Sequence, residues 1–228
     1  MSFLKIFTEK NRKNLIIANS ILLFCILAVL VLIPFLPAIV QKTLARLLYM
    51  GIYFGSVYAL VTRIRIMFTL AIGLSLMQIA SQFAGSETIE LIAQALNTVF
   101  FIYVVVRLIK QFALAKEISP MVILGSINGY LLTGLVFSIF VLIVATVYPQ
   151  SYQLTTTGGY LSAHDNYRVF IYYTFITMTT VGYGDIVPVS AAARSLAILM
   201  AVTGQLYIAV IIAFLVGKFA GHLLKKQN

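Results

Sequence analysis

Six apolar runs, each long enough to cross a hydrocarbon layer, set the first constraint on this chain. They cover residues 15–33, 44–61, 66–83, 87–109, 119–148 and 190–217, to within a few positions. At 1.5 Å per residue, a helix of twenty residues covers about 30 Å, the thickness of a hydrocarbon core. Hydrophobic residues make up 61% of the chain and charged residues 10%, a balance that no soluble domain of 228 residues tolerates. The sequence therefore predicts an all-α membrane protein with six transmembrane helices. Local punctuation agrees with the divisions. Pro34 and Pro37 bracket a turn after the first run, and Gly85-Ser86 separates the third from the fourth. Ser119-Pro120 supplies an N-cap followed by proline at the first helical position, and Pro149 ends the fifth run. The first run is long and lacks a small-residue cleavage site, so it is expected to stay as a signal-anchor helix.

Charge placement gives the expected orientation. The chain carries 16 Lys+Arg against 6 Asp+Glu, an excess that would suit nucleic acid were it not for its distribution. Lys5, Lys10, Arg12, Lys13, Arg63, Arg65, Arg107, Lys110, Lys116, Lys218, Lys225 and Lys226 fall on one side if both termini are cytoplasmic. Glu87, Glu90, Asp165 and Asp185 fall on the other. Lys42 and Arg46 break the pattern, and their long stems would have to snorkel. The basic excess thus reads as topology: a multi-pass protein of the cell (inner) membrane, with no nucleic-acid partner. Enzymatic chemistry finds no footing. His164 and His222 are isolated, Cys25 stands alone, and G-x-S-x-G, H-E-x-x-H and P-loop patterns are missing. No cofactor is expected.

The pattern changes between the fifth and sixth runs. A polar segment, residues 150–167, precedes an apolar stretch, 169–179, that is too short to span. Then comes Thr179-Thr180-Val181-Gly182-Tyr183-Gly184-Asp185. Each residue of the T-V-G-Y-G portion offers a backbone carbonyl, and Thr180 adds a hydroxyl. Four copies around an axis would stack these oxygens into rings that replace the water shell of a potassium ion. Pointing successive carbonyls the same way needs backbone angles that side chains resist, and Gly182 and Gly184 tolerate φ > 0. Val181 and Tyr183 would point outward and pack behind the filter. The expected ion-binding residues are Thr180, Val181, Gly182, Tyr183 and Gly184, with K+ itself at Thr180, Val181, Gly182 and Tyr183.

With this motif between two spans, residues 119–217 resemble the pore module of the tetrameric potassium channel superfamily. The whole chain resembles a six-transmembrane potassium channel of the bacterial ion-channel type. The resemblance implies a homotetramer in membrane lipid conducting K+ as its permeant ligand. It divides the chain into a four-helix transmembrane domain, 1–117, and a pore domain, 118–228, of outer helix, pore loop, inner helix and short cytoplasmic tail. Residues 169–179 become a re-entrant pore helix whose C-terminal end favours a cation in the cavity. Tyr172 and Tyr173 stand where many relatives carry a Trp pair that braces the filter tyrosine, and this chain has no Trp. Thr179, Asp185, Tyr172 and Tyr173 are the expected filter support, Asp185 acting either in filter architecture or as outer-mouth charge. Ile176 occupies a position where some relatives place Glu, so no carboxyl pair with Asp185 is expected. Gly204 lies where relatives bend the inner helix to open a gate; the alternative is a small residue for close helix packing.

Polar and charged residues within the first spans carry fewer expectations. Gly51-x-x-x-Gly55 and Gly125-x-x-x-Gly129 have the spacing of packing surfaces, and Gln78, Gln94, Asn97 and Asn128 that of interhelical hydrogen bonding. A voltage sensor needs several Arg spaced by three, with acidic partners on neighbouring helices. The fourth run offers only Arg107 and Lys110 at its inner end, and the second and third contain no acid. Eight such charges crossing roughly a tenth of the field at 100 mV supply about 2 kcal/mol, against the tens that steep gating needs. The sequence predicts a potassium-selective channel with weak or no voltage gating. Its alternatives are a non-conducting regulatory subunit with a channel-like fold, and a voltage-gated channel with a minimal sensor.

Overall fold

A computed structural model describes residues 9–32, 35–60, 64–81, 87–113, 119–162 and 167–227. Its elements are α1 (Glu9–Leu27) running into a π-helical turn (Ala28–Leu32), α2 (Ala38–Tyr58), α3 (Ile64–Ser81), α4 (Glu87–Ala113) and α5 (Pro120–Val147). Strand β1 (Tyr152–Leu154), α6 (Tyr167–Met178), β2 (Ile186–Pro188) and α7 (Ala191–Gln227) follow. Each long helix lies on one of the apolar runs. The short run 169–179 becomes α6, a helix of 12 residues. Among the described residues, three helices are long and apolar enough to cross a membrane: Asn14–Leu32, Pro120–Val147 and Ala191–Phe214. The apolar parts of α2 and α3, Leu47–Tyr58 and Arg65–Ser81, are shorter.

The chain packs as two compact units, Met1–Gly129 and Tyr130–Asn228. These units meet inside α5. The reason lies in the first ten residues of that helix, which carry Asn128. Asn128 Nδ2 donates to the Asn19 backbone carbonyl at 2.8 Å and to its Oδ1 at 3.2 Å. Both side chains are buried, and Asn19 Nδ2 is held in turn by the Leu15 carbonyl at 2.8 Å. An apolar surrounding cannot solvate an amide, so the N–H donors of both side chains find protein acceptors, while Asn128 Oδ1 finds none among the described residues.

A second polar cluster joins α2, α3 and α4. Tyr53 Oη donates to Asn97 Oδ1 at 3.2 Å, while Asn97 Nδ2 reaches the carbonyls of Leu74 and Ala93, both at 3.1 Å, and Gln78 Oε1 at 3.4 Å. Three of the four amides singled out in the sequence thus act as interhelical ties; the Gln94 side chain lies outside the described residues. The Gly51 and Gly55 stripe of α2 faces α1, where a Cβ would stand 3.4 Å from Cys25 Sγ and from Leu22 Cδ1.

Ser119 in the first unit and Ser190 in the second mark two helix starts in the same way. The N–H of Val122 approaches Ser119 Oγ at 3.4 Å, and that of Ala193 approaches Ser190 Oγ at 3.1 Å. The core of the second unit brings Phe137 and Val141 of α5 against Phe170, Tyr173 and Met178 of α6 and Met200 of α7. One feature departs from the all-α expectation. β1 and β2 form an antiparallel pair, with Tyr152 opposite Pro188, Gln153 opposite Val187 and Leu154 opposite Ile186. Three-residue strands in a polar segment leave no hydrophobic periodicity to read, which is why the sequence showed only a loop.

Replacing Asn19 by Leu should lower the stability of detergent-solubilised protein by about 1 kcal/mol, because Asn128 Nδ2 loses the Asn19 Oδ1 acceptor and keeps only the backbone carbonyl. Adding Asn128→Leu should recover most of the melting temperature. Equal melting of the single and double variants would show that the two amides are not coupled.

Candidate functional site

The segment joining α6 to β2 has a backbone unlike the rest of the chain. Thr180 has φ 61°, Gly182 φ 51° and Gly184 φ 77°, whereas Val181 and Tyr183 are not in the positive region. A strand with φ of one sign alternates its carbonyls from side to side. Alternating the sign of φ removes that alternation and favours successive carbonyls on the same side. Glycine adopts these angles freely. Thr180 does not: a β-branched residue with positive φ is an outlier that surrounding structure must hold in place.

Hydrogen bonds to α6 provide that hold. The N–H groups of Thr179 and Thr180 donate to the carbonyls of Phe175 and Thr177, both at 3.0 Å. The N–H of Gly182 reaches back to the Ile176 carbonyl at 3.0 Å. Thr179 Oγ1 donates to the Phe175 carbonyl at 2.7 Å, and Thr180 Oγ1 to the Thr179 carbonyl at 2.7 Å. That last bond occupies the Thr180 hydroxyl proton and leaves its lone pairs free to accept. Among the described residues, none donates a hydrogen bond to the carbonyls of Thr180, Val181, Gly182 or Tyr183. Four consecutive backbone acceptors are thus unpaired among the described residues, and all four residues are exposed.

The outer end is tied by Asp185. Its Oδ2 accepts from Tyr172 Oη at 2.7 Å and its Oδ1 from the N–H of Ile186 at 3.1 Å. The bond to Asp185 is the main cause that pushes the Tyr172 phenol up to about 12, so Tyr172 remains a donor throughout the physiological range. Thr155, just after β1, completes the tie. Its N–H donates to the Asp185 carbonyl at 2.9 Å, and its Oγ1 approaches the carbonyls of Gly184 at 3.0 Å and Asp185 at 3.1 Å.

The support differs from the sequence expectation in two ways. Tyr172 reaches Asp185, not the filter tyrosine. Tyr173 turns inward, where its ring meets the fully buried Tyr152 edge-on at 5.1 Å. Burial, and secondarily the proximity of Tyr173, pushes the Tyr152 phenol up, so this pair packs as neutral rings. Val181 and Tyr183 do not pack behind the segment within one chain; they are 52% and 72% exposed. Sequence reasoning missed Thr155, which no motif marks, and the sheet that positions it.

Two glycines fix how closely the neighbouring helices approach α6. A Cβ on Gly134 of α5 would stand 2.5 to 3.0 Å from three carbons of the Phe175 ring. A Cβ on Gly204 of α7 would collide with the Met178 carbonyl, at the end of α6. Gly204 therefore serves close packing, and α7 is helical through it. Gly217 has open space around it and is also helical. Arg107 and Lys110 sit exposed in the last two turns of α4. His164 and Asp165 lie outside the described residues, as does the side chain of His222. Among the described residues no cluster of His, Cys, Asp or Glu could hold a metal ion.

Residues 136–220 match the family described as Ion channel, a stretch that runs from within α5 to within α7. A segment of 58 residues, 25% of the chain, is 42% identical to the two-pore potassium channel 1 of Arabidopsis thaliana. It covers 15% of that relative's length, so the likeness is local. No solved structure matches the chain.

Replacing Gly204 by Ala should lower thermal stability by about 1–3 kcal/mol through the clash with Met178. Gly217→Ala should raise it by roughly 0.5–1 kcal/mol, because an exposed helical glycine costs entropy and nothing opposes a methyl. Melting curves of the two variants side by side decide the matter; a Gly204→Ala protein as stable as the parent would contradict the close contact.

Proposed function

We propose that this chain is the subunit of a potassium-selective channel, conducting K+ passively through the segment Thr180–Gly184. The observation that carries this reading is the run of four unpaired carbonyls on a backbone of alternating φ sign. In a membrane, an unsatisfied backbone carbonyl costs several kcal/mol unless it is buried in protein or lines a wet pore. A dehydrating cation is the ligand that wants a row of neutral oxygens. The match to the Ion channel family covers this segment, and the local likeness to a plant two-pore potassium channel supports the same reading. They point to ion transport rather than to enzyme chemistry.

One chain supplies one quarter of each oxygen ring, so the proposal includes a homotetramer. The exposed surfaces of Val181 and Tyr183 are consistent with burial between copies. The carbonyls of Thr180, Val181, Gly182 and Tyr183, with the Thr180 hydroxyl, would coordinate the ion, and Gly184 would close the outer end. In this reading Asp185, bound to Tyr172 and the Ile186 N–H, serves filter architecture. The proposed orientation puts both termini in the cytoplasm of an inner membrane, following the basic residues.

Flux from vesicles holding purified protein tests the proposal. K+ and Rb+ should permeate, Na+ should be largely excluded, and Ba2+ should block. Gly182→Ala and Gly184→Ala should abolish selective flux, because alanine resists the positive φ at both positions. Comparable Na+ and K+ flux, or selective flux surviving both changes, would sink the reading. Tetramers that pass no K+ would instead favour a non-conducting subunit.

Voltage dependence should be weak. Arg107 and Lys110 are exposed at the end of α4, and α2 and α3 contain no acidic residue to pair with them. Neutralising both should alter insertion or expression more than the slope of any activation curve. Steep activation over a few tens of millivolts, flattened by the double substitution, would show that α4 senses voltage.

A further inference from the structure

The first unit holds an open groove of about 540 Å³ that the conduction path does not use. Its walls come from three helices: Asn14, Ile17, Ala18 and Ile21 of α1, Phe54, Gly55 and Tyr58 of α2, and Phe68 of α3. The α1 residues follow the i, i+3, i+4, i+7 spacing of one helix face. They extend for seven residues, about 10 Å. Phe54 and Phe68 close one wall with their rings 5.5 Å apart. The absent side chain at Gly55 leaves room at the floor, where only Leu22 lies near. Polar groups appear at one end alone, where α1 begins, α2 finishes at Tyr58 and α3 begins. In sequence that same end carries Lys10, Arg12 and Lys13 on α1, and the exposed Arg65 stands on α3.

We propose that this groove binds one anionic phospholipid, with an acyl chain between α1 and α2 and the phosphate at the Asn14–Tyr58–Arg65 end. An apolar slot open to lipid accepts any acyl chain. The basic end is what selects among headgroups, since anionic lipids are attracted by juxtamembrane Lys and Arg. The volume falls within the range of small-molecule sites. The inference rests on the membrane reading above but is independent of conduction, and its test requires no flux.

The chain has no Trp, so a single introduced indole reports on one place. Phe68→Trp puts it in the groove wall, and Val99→Trp puts it on α4, at a position 64% exposed and outside the groove. Full-length protein is reconstituted in phosphatidylcholine vesicles, and quenching is titrated with brominated phosphatidylglycerol or brominated phosphatidylcholine. At Phe68→Trp the anionic lipid should quench with about fivefold higher apparent affinity, the effect of roughly one basic contact. Adding Arg65→Gln should bring the ratio close to one, and Val99→Trp should give a ratio of one throughout. Should Phe68→Trp fail to insert, Ile17→Trp provides the same reading from α1. A ratio of one in the groove, an equal preference at Val99→Trp, or a preference unchanged by Arg65→Gln would each overturn the proposal.

Discussion

Lipid supplies no hydrogen bonds, and that constraint organises the whole chain. Its long apolar segments are helices, which satisfy their own backbone. The amide N–H groups of the buried Asn19 and Asn128 and of the half-buried Asn97 donate to one another's oxygens or to nearby carbonyls. Against this background the unpaired carbonyls of Thr180 to Tyr183 are a departure, and the structure around them exists to maintain it. The N–H of Gly182 is tied to Ile176 and that of Thr180 to Thr177, so the donors are drawn away from the carbonyl row. Thr180 holds a positive φ, which costs of order 1–3 kcal/mol. That strain persists only because bonds on both sides of it fix the chain: Thr179 to Phe175 at the inner end, and Tyr172 and Thr155 at Asp185 at the outer.

The glycines divide into kinds that the sequence does not separate. Gly182 and Gly184 are needed for their backbone angles. Gly134 and Gly204 are needed because α6 lies against them, whereas at Gly51 and Gly55 a Cβ would make only ordinary contact with α1. Gly217 answers to neither requirement. Gly204 and Gly217 lie in the same helix, yet only Gly204 is pressed against a carbonyl. Close packing at Gly204 also joins α7 directly to the end of α6, where the unpaired segment begins. A shift of α7 at that point would reach the Met178 carbonyl before anything else.

The helices were legible because apolar runs of bilayer length admit few other forms, and most helix starts and ends matched Pro, Ser and Gly signals to within a few residues. The segment Thr179–Asp185 was legible because its carbonyl chemistry demands glycine at fixed places. What surrounds it was not. Thr155 contributes a backbone N–H and a hydroxyl from a strand of three residues, and nothing local distinguishes it from Thr156 or Thr157. The partner of Tyr172 depends on rotamers and on the turn after Gly184. Tyr173 follows the core rather than the filter, because an aromatic ring gains more from meeting Tyr152 in a dry interior than from reaching outward. The boundary within α5 was hidden because helix continuity says nothing about which neighbours each half chooses.

Two surfaces of the second unit are incomplete in one chain, and they do not weigh equally. Only 11% of the apolar window of α7 is buried, with Ile198, Val210 and Val216 among its widely exposed residues. Such a face needs no protein partner, since lipid tails are as apolar as its side chains. The carbonyls of Thr180 to Tyr183 have no such option. Turned to lipid, each would forfeit several kcal/mol; turned to one another around an axis, they form a polar lining that a cation can enter. In the proposed channel, the need for several copies therefore arises at the segment of five residues rather than along the helix of 37. The helix faces of that assembly would follow, burying against neighbours whatever the ring geometry leaves in reach and giving the rest to the bilayer.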